Sequence, residues 1–243
     1  MKLSDYTPAR VGLGVAGESL PTKAQLDFRL AHARARDAVH FPLDAGGLSE
    51  EMRACGWTPV ILRSSAVNRA EYLRRPDKGR MLSDDSVGQL SGQKCKTAIV
   101  VADGLSALAV HRHAVPFLKE MSLGDETALW IVLEGRVAVG DHIGELLHAE
   151  LSIVILGERP GLTTPDSLGV YLTWAPRVGR TDAERNCISN IHGQGLSYAE
   201  AAYKLAFLTN EARRRKLSGV ALKETAGNLL TASNLGYDAK NPS

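Results

Sequence analysis

Hydrophobic positions recur with helical spacing in the first third of the chain. Leu26, Leu30 and Ala33 lie on one face of residues 22–39, which predicts a long amphipathic helix with Thr22 placed to cap it. Three shorter elements are predicted after it: helices at residues 49–54 and 68–73, and a strand at residues 60–62.

After Gly92 the pattern changes to short, continuous apolar runs separated by helical stretches. The runs are typical of strands buried on both faces and occupy residues 97–102, 128–133, 151–156 and 170–174. Helices are predicted between and after them, at residues 105–120, 141–148 and 197–216. Ser197 and Glu200 have the capping-box spacing at the start of the last helix.

This alternation predicts βαβ units and therefore the α/β class. We expect a Rossmann-like, mainly parallel sheet with a helical N-terminal region. The predicted division is a mostly helical region at residues 1–90, an α/β domain at 91–223 and a loosely ordered tail at 224–243.

Composition narrows the possible functions. The 243 residues are 44% hydrophobic and 23% charged, as in a soluble globular protein, and the net charge of +2 disfavours nucleic acid as the main partner. Three scattered cysteines predict neither a disulfide framework nor a zinc site, and favour a reducing, cytoplasmic setting. No apolar run approaches the ~18–20 residues of a membrane span. Residues 63–80 carry an excess of positive charge, which we interpret as a solvated face or a subunit contact.

A glycine-rich segment, GLGVAG at residues 12–17, matches the G-x-G-x-x-G turn that binds dinucleotides. That turn needs a strand before it and a helix opening on its last glycine. The preceding residues include Pro8 and show no strand-like run. We therefore expect a loop ahead of the first helix, and a nicotinamide-dependent oxidoreductase remains an alternative hypothesis.

Three polar segments are candidates for chemistry. DGLS at residues 103–106 follows the first buried strand and fits a helix cap or a ligand contact. GERPGL at 157–162 follows another strand, where open α/β sheets bind ligands, although a salt-bridged turn fits as well. Residues 185–192 group polar side chains around Cys187 without periodicity, which predicts a loop; the alternative role for this cysteine is a buried structural one.

Five segments occur in one order along the chain: TPARVGLG at 7–14, RPD and GR within 75–80, DGLS at 103–106, GERPGL and SL within 157–168, and CISNI at 187–191. Together they resemble the small (light) subunit of ethanolamine ammonia-lyase over about residues 7–223. The resemblance implies an adenosylcobalamin-dependent lyase that converts ethanolamine to acetaldehyde and ammonia by a radical mechanism. It also implies a large subunit, a TIM barrel with the substrate site, in a hetero-oligomer containing several copies of each chain.

The same resemblance assigns cobalamin contacts to Val137, Glu158 and Cys187. Glu158 suits the amides of the corrin rim, while Val137 and Cys187 suit its apolar edges. The family binds the cofactor base-on, with its own benzimidazole on cobalt. Only residues 1–6 precede the first matching segment, which leaves packaging in a bacterial microcompartment open. A scaffold or regulatory subunit that never touches the cofactor is a second hypothesis.

Overall fold

The computed structural model describes residues 10–122, 124 and 126–222. The predicted tail at 224–243 lies outside the described residues. Six strands form one sheet in the order β1-β3-β2-β4-β5-β6. The strands are β1 (Val60–Arg63), β2 (Thr97–Ala102), β3 (Thr127–Leu133), β4 (Leu151–Gly157), β5 (Leu168–Trp174) and β6 (Arg185–Ile191).

The sheet is mixed, which confirms the α/β class and corrects the expectation of a mainly parallel sheet. β1, β3, β2 and β4 pair in parallel, whereas β4 pairs with β5, and β5 with β6, in antiparallel fashion. The reason lies in residues 158–167, which join β4 to β5 without a helix. Without a crossover helix the chain returns beside β4 in the opposite direction.

Seven α-helices occur in the described part of the chain: α1 (Thr22–His40), α2 (Ala45–Ala54), α3 (Arg69–Arg74), α4 (Asp84–Leu90), α5 (Ala107–Glu120), α6 (Val139–Leu146) and α7 (Tyr198–Arg215). The capping box of Ser197 and Glu200 is confirmed, and Ser106 caps α5 by accepting a hydrogen bond from the Ala109 amide at 3.2 Å. Thr22 is the first residue of α1 and not its cap. The sequence did not predict α4, whose cap is Ser83.

Helices cover both faces of the sheet. On the first face, α2, α5 and α7 pack against residues such as Ile99, Val101 and Ile131. On the second face, α4 and α6 pack against residues such as Val100 and Trp130. Every residue of β2 and β4 is buried, which explains why these strands appear in the sequence as continuous apolar runs.

Helix α1 forms as predicted, but the other residues that the structure describes leave most of it uncovered. Ala38 is its one fully buried residue. Leu26 and Leu30, which define the predicted apolar stripe, are 58% and 51% exposed. The stripe therefore faces away from the core of this chain. No helix in the described residues has the length and hydropathy to cross a membrane.

Candidate functional site

A cleft of about 450 Å³ opens at the edge of the sheet where the parallel strands end. Gly104 and Leu105 line it from the loop after β2, Val137 from the loop after β3, and Gly157 and Glu158 from the end of β4. The loops after β2 and β3 lead to helices on opposite faces, because α5 packs on the first face and α6 on the second. Open α/β sheets bind their ligands at such a crevice.

Two glycines let the loops after β2 and β4 approach each other closely. The Leu105 amide donates a hydrogen bond to the Gly157 carbonyl oxygen at 2.9 Å. A Cβ atom on Gly157 would clash with the Ser106 carbonyl oxygen, and one on Gly104, whose φ is +55°, would clash with the Gly157 carbonyl oxygen. DGLS and GERPGL thus each contain a glycine, because the loops after β2 and β4 approach too closely to leave room for a side chain.

Two hydrogen bonds hold the carboxylate of Glu158 in a fixed position beside the contact between these two loops. Its Oε2 accepts hydrogen bonds from the Ser167 hydroxyl at 2.6 Å and from the Asn190 amide at 3.2 Å. Among the described residues, Oε1 accepts no hydrogen bond. One oxygen is therefore used for positioning, and the other remains available to a ligand that donates a hydrogen bond.

The loop that follows Glu158 is attached to α5 at its far end. The Arg112 guanidinium pairs with Asp166 at 2.6 Å, and the Ser106 hydroxyl donates to the Pro165 carbonyl oxygen at 3.0 Å. These contacts fix the far end of residues 158–167 to the start of α5, and the Glu158 amide donates a hydrogen bond to the Ser167 carbonyl oxygen at 2.9 Å, which joins the two ends of the loop. The position of Glu158 is set by the fold and does not depend on a mobile loop.

Cys187 lies on strand β6, so the prediction of a loop over residues 185–192 is wrong. Among the described strands, β6 is an edge strand that pairs with β5 alone. Its polar residues fall into two groups, since Arg185 and Asn186 are buried whereas Ser189 and Asn190 are exposed. Cys187 is exposed and stands directly opposite Tyr171 of β5, whose ring lines the cleft. Burial raises the pKa of Tyr171, with Cys187 and Glu158 adding to the effect, so its phenol is neutral.

A buried polar cluster holds the loop that carries Val137. Asp103, 2% exposed at the end of β2, accepts hydrogen bonds from the amides of Glu134 and Gly135 at 3.1 and 3.0 Å. Glu134 has a φ of +56°, which is strained for a residue with a side chain. These two hydrogen bonds hold the strained turn from which Val137 enters the cleft.

Arg69 of α3 closes this cluster. Its Nη1 lies 3.2 Å from Asp103 Oδ2 and 3.3 Å from Glu134 Oε2, and donates to the Gly104 carbonyl oxygen at 2.8 Å. Burial raises the pKa of Asp103 to about 7, because desolvation outweighs the opposing effect of Arg69 and Glu134 adds to it. The cluster joins α3 to the ends of β2 and β3.

The structure brings the three sequence-predicted residues to one region. Val137 and Glu158 line the cleft, and Cys187 is adjacent to it through Tyr171. Sequence reasoning recognised Asp103 as a candidate but missed Arg69 and Tyr171. The sequence identifies Asp103 as a candidate because it directly follows a buried strand. Arg69 is one of several arginines in the basic stretch at residues 63–80, and nothing in the sequence distinguishes it from the others.

The glycine-rich segment and the histidines considered as metal ligands lie away from the cleft. Residues 12–17 form an exposed loop, and α1 begins only at Thr22, so no helix opens on Gly17 as a dinucleotide turn requires. Within the described ranges, no group of His, Cys, Asp and Glu side chains is arranged to hold a metal ion. His111 and His142 instead accept hydrogen bonds from the backbone amides of Asp44 and Leu82, each at 3.0 Å.

The fold and the cleft define an α/β protein with a six-stranded mixed sheet and a cleft at the carboxyl ends of its parallel strands. A family model described as ethanolamine ammonia-lyase light chain (EutC) matches residues 1–223. Curated ethanolamine ammonia-lyase small subunits are similar over nearly the whole chain. One from Xanthomonas campestris pv. campestris (strain B100) is 52% identical, over 98% of this chain and 92% of the relative.

Two further small subunits of ethanolamine ammonia-lyase are similar to this chain. The one from Pseudomonas aeruginosa (strain LESB58) is 54% identical over 93% of this chain and 87% of its own length. The one from Pseudomonas putida (strain W619) is 52% identical over 93% and 88%. The chain therefore belongs to the ethanolamine ammonia-lyase light-chain family, and it is a subunit of an ammonia-lyase.

Proposed function

We propose that this chain forms one wall of an adenosylcobalamin site and that Val137, Glu158 and Cys187 contact the corrin ring. The observation that carries the proposal is the cleft at the edge of the sheet, with Glu158 Oε1 available as a hydrogen-bond acceptor beside it. A corrin ring carries amide side chains around its rim, and amides need acceptors when they leave water.

The residues of the cleft fit such a ring in polarity. Val137 and Leu156 offer apolar surface, and the neutral phenol of Tyr171 continues that surface toward Cys187 on β6. Glu158 adds a carboxylate, held in place by Ser167 and Asn190, to the otherwise apolar part of the cleft. When bound, adenosylcobalamin supplies a radical by cleavage of its cobalt–carbon bond, while the protein provides binding and orientation.

The reaction itself belongs, in this proposal, to a large subunit with a TIM barrel that holds ethanolamine. The exposed apolar positions of α1 support the presence of a large partner, because Leu26, Phe28 and Leu30 would be unfavourable on the surface of an isolated chain. We further propose base-on binding of the cofactor, a hetero-oligomer with several copies of each subunit, and a cytoplasmic location that includes microcompartments where these are formed.

Substitution of Glu158 tests the proposal in the complex with the large subunit. In Glu158→Ala, the adenosylcobalamin concentration that gives half-maximal ammonia release should rise about tenfold or more, since hydrogen bonds to charged groups are among the stronger ones. Gel filtration should show an unchanged complex. Glu120→Ala provides a matched control, because Glu120 is exposed at the other end of α5. An unchanged cofactor requirement would remove Glu158 from the site.

The scaffold hypothesis is the second candidate, and the exposed stripe of α1 is the observation that favours it. A chain that only stabilises its partner would respond differently to the same substitution. Variants at Val137, Glu158 and Cys187 would then reduce the yield of the complex and leave the cofactor requirement of the surviving complex unchanged. Measuring both quantities for each variant separates the two functions.

A further inference from the structure

Two guanidinium groups line the cleft without a carboxylate partner. Arg136 and Arg159 both contribute to its wall, and neither forms an ion pair with an acidic side chain of the described residues. Arg159 follows Glu158 directly and is exposed. The cleft therefore presents two guanidinium groups that pair with no carboxylate of the described residues.

Arg136 is held in place by an aromatic ring. Its guanidinium carbon lies 4.3 Å from the centre of the Tyr72 ring, and its Nη2 donates to the Tyr72 carbonyl oxygen at 3.4 Å. Its Nε is buried and has no hydrogen-bond partner among the described residues. Stacking orients a guanidinium without consuming its charge. Arg136 is thus positioned for an anion.

Of the acidic side chains nearest to the cleft, two pair with Arg69 and one is held by neutral donors. Asp103 and Glu134 both contact Arg69, and Glu158 directs Oε2 toward Ser167 and Asn190. Glu158 thus places one carboxylate in the cleft against the two guanidinium groups of Arg136 and Arg159, so the lining keeps a net positive charge. A ligand with a single anionic group among neutral amides would match this arrangement.

We propose that Arg136 and Arg159 bind the phosphodiester of the corrinoid's nucleotide loop. This inference rests on the proposed function and deepens it, because cobalamin has neutral amides on its rim and one phosphodiester in the chain that carries its benzimidazole. Guanidinium groups bind phosphate oxygens through paired, charge-assisted hydrogen bonds. Glu158 and the two arginines then recognise different parts of the same cofactor.

Three corrinoids distinguish the phosphate contact from the rest of the cofactor. Cyanocobalamin contains the phosphodiester, cobinamide phosphate retains a phosphate but lacks the ribose and base, and dicyanocobinamide lacks all three. Their dissociation constants are measured by equilibrium dialysis with the complex of small and large subunits, using corrinoid absorbance. The protein variants are Arg159→Gln, the charge-retaining Arg159→Lys, and Arg177→Gln. Arg177 is an exposed control at the opposite edge of the sheet, after the end of β5.

Arg159→Gln should weaken the binding of cyanocobalamin and of cobinamide phosphate about tenfold. Its affinity for dicyanocobinamide should stay within about twofold of the unsubstituted complex, and Arg159→Lys should recover most of the loss. Arg177→Gln should change none of the three constants. The difference between Arg159→Gln and the unsubstituted complex should shrink at high salt, because Arg159 is exposed.

Two results would overturn the inference. One is an equal loss of affinity for all three corrinoids. The other is an unchanged affinity together with a smaller amount of assembled complex, which would mean that Arg159 contacts an acidic group of the large subunit. Failure of the unsubstituted complex to bind any of the corrinoids would instead refute the proposed function, so the two failures are distinguishable.

Discussion

Replacing Arg69 by methionine should destabilise the chain strongly. Its guanidinium lies 3.2 Å from Asp103 Oδ2 and 3.3 Å from Glu134 Oε2, and its Nε donates to the Val39 carbonyl oxygen at 2.9 Å. Removing one partner of a buried charge cluster leaves the others uncompensated, at a cost of about 3–5 kcal/mol. For a domain of this size each kcal/mol lowers the melting temperature by about 2–4 °C. We expect a decrease of about 10 °C.

Arg75→Met is the matched control. Arg75 lies in the same basic stretch but pairs with Asp77 on the surface, where both side chains are well exposed. Exposed pairs contribute little, so its melting temperature should stay within about 2 °C of the unsubstituted chain. Both melts are recorded at pH 8 by circular dichroism. Equal melting temperatures for the two variants would refute the assignment of Arg69 to a buried cluster.

Two further predictions follow from the same edge of the sheet. The pKa of Asp103 is about 7 in the folded chain and about 3.9 when unfolded, so the folded state binds more protons and this group's stabilisation decreases as the pH rises from about 4 to 7. The free energy of unfolding is measured by urea titration at a series of pH values, and Asp103→Asn should make it depend less steeply on pH. An identical pH dependence in the variant and the unsubstituted chain would contradict the raised pKa of Asp103. Gly157→Ala should prevent stable folding because its Cβ would clash with the Ser106 carbonyl oxygen, whereas Gly88→Ala, where nothing lies within 4 Å, should fold normally. Thermal melts of the two glycine variants check this, and similar melts would show that the loops can separate.

The sequence predicted the elements whose environment is uniform. β2 and β4 are apolar throughout because both of their faces are buried. The capping box identified the start of α7 because the same two side chains satisfy its first amides. In both cases the residues that favour the local element also suit its surroundings in the folded chain, so the sequence pattern alone was sufficient to identify it.

The elements that the sequence missed are those whose surroundings differ from one face to the other. β6 has an irregular order of buried and exposed positions, and it contains buried polar residues such as Asn186, whose side chain forms hydrogen bonds with the backbone of Gly219. Helix α4 is short and contains Gly88, so it lacks a strong helical pattern. β5 runs antiparallel to β4 because residues 158–167 connect the two strands without a helix. The apolar runs in the sequence show where the strands are but not their relative direction.

The candidate site was predictable only in part. Glu158 follows a buried strand, where the crevice rule expects ligand contacts, whereas Val137 was assigned only through the family resemblance. The cluster of Arg69 with Asp103 joins residues 34 positions apart, and the stacking of Arg136 on Tyr72 joins α3 to the loop after β3. Such contacts between distant segments arise from packing and leave no periodic signal in the sequence.

The most direct test of the account is the visible absorption spectrum of this chain co-purified with its large subunit after incubation with cyanocobalamin and removal of the free corrinoid. We predict a corrinoid spectrum that requires both chains and is weakened in Glu158→Ala at limiting corrinoid. Retention of the same amount of corrinoid by the large subunit alone would contradict the claim that the cleft beside Glu158 forms one wall of the site.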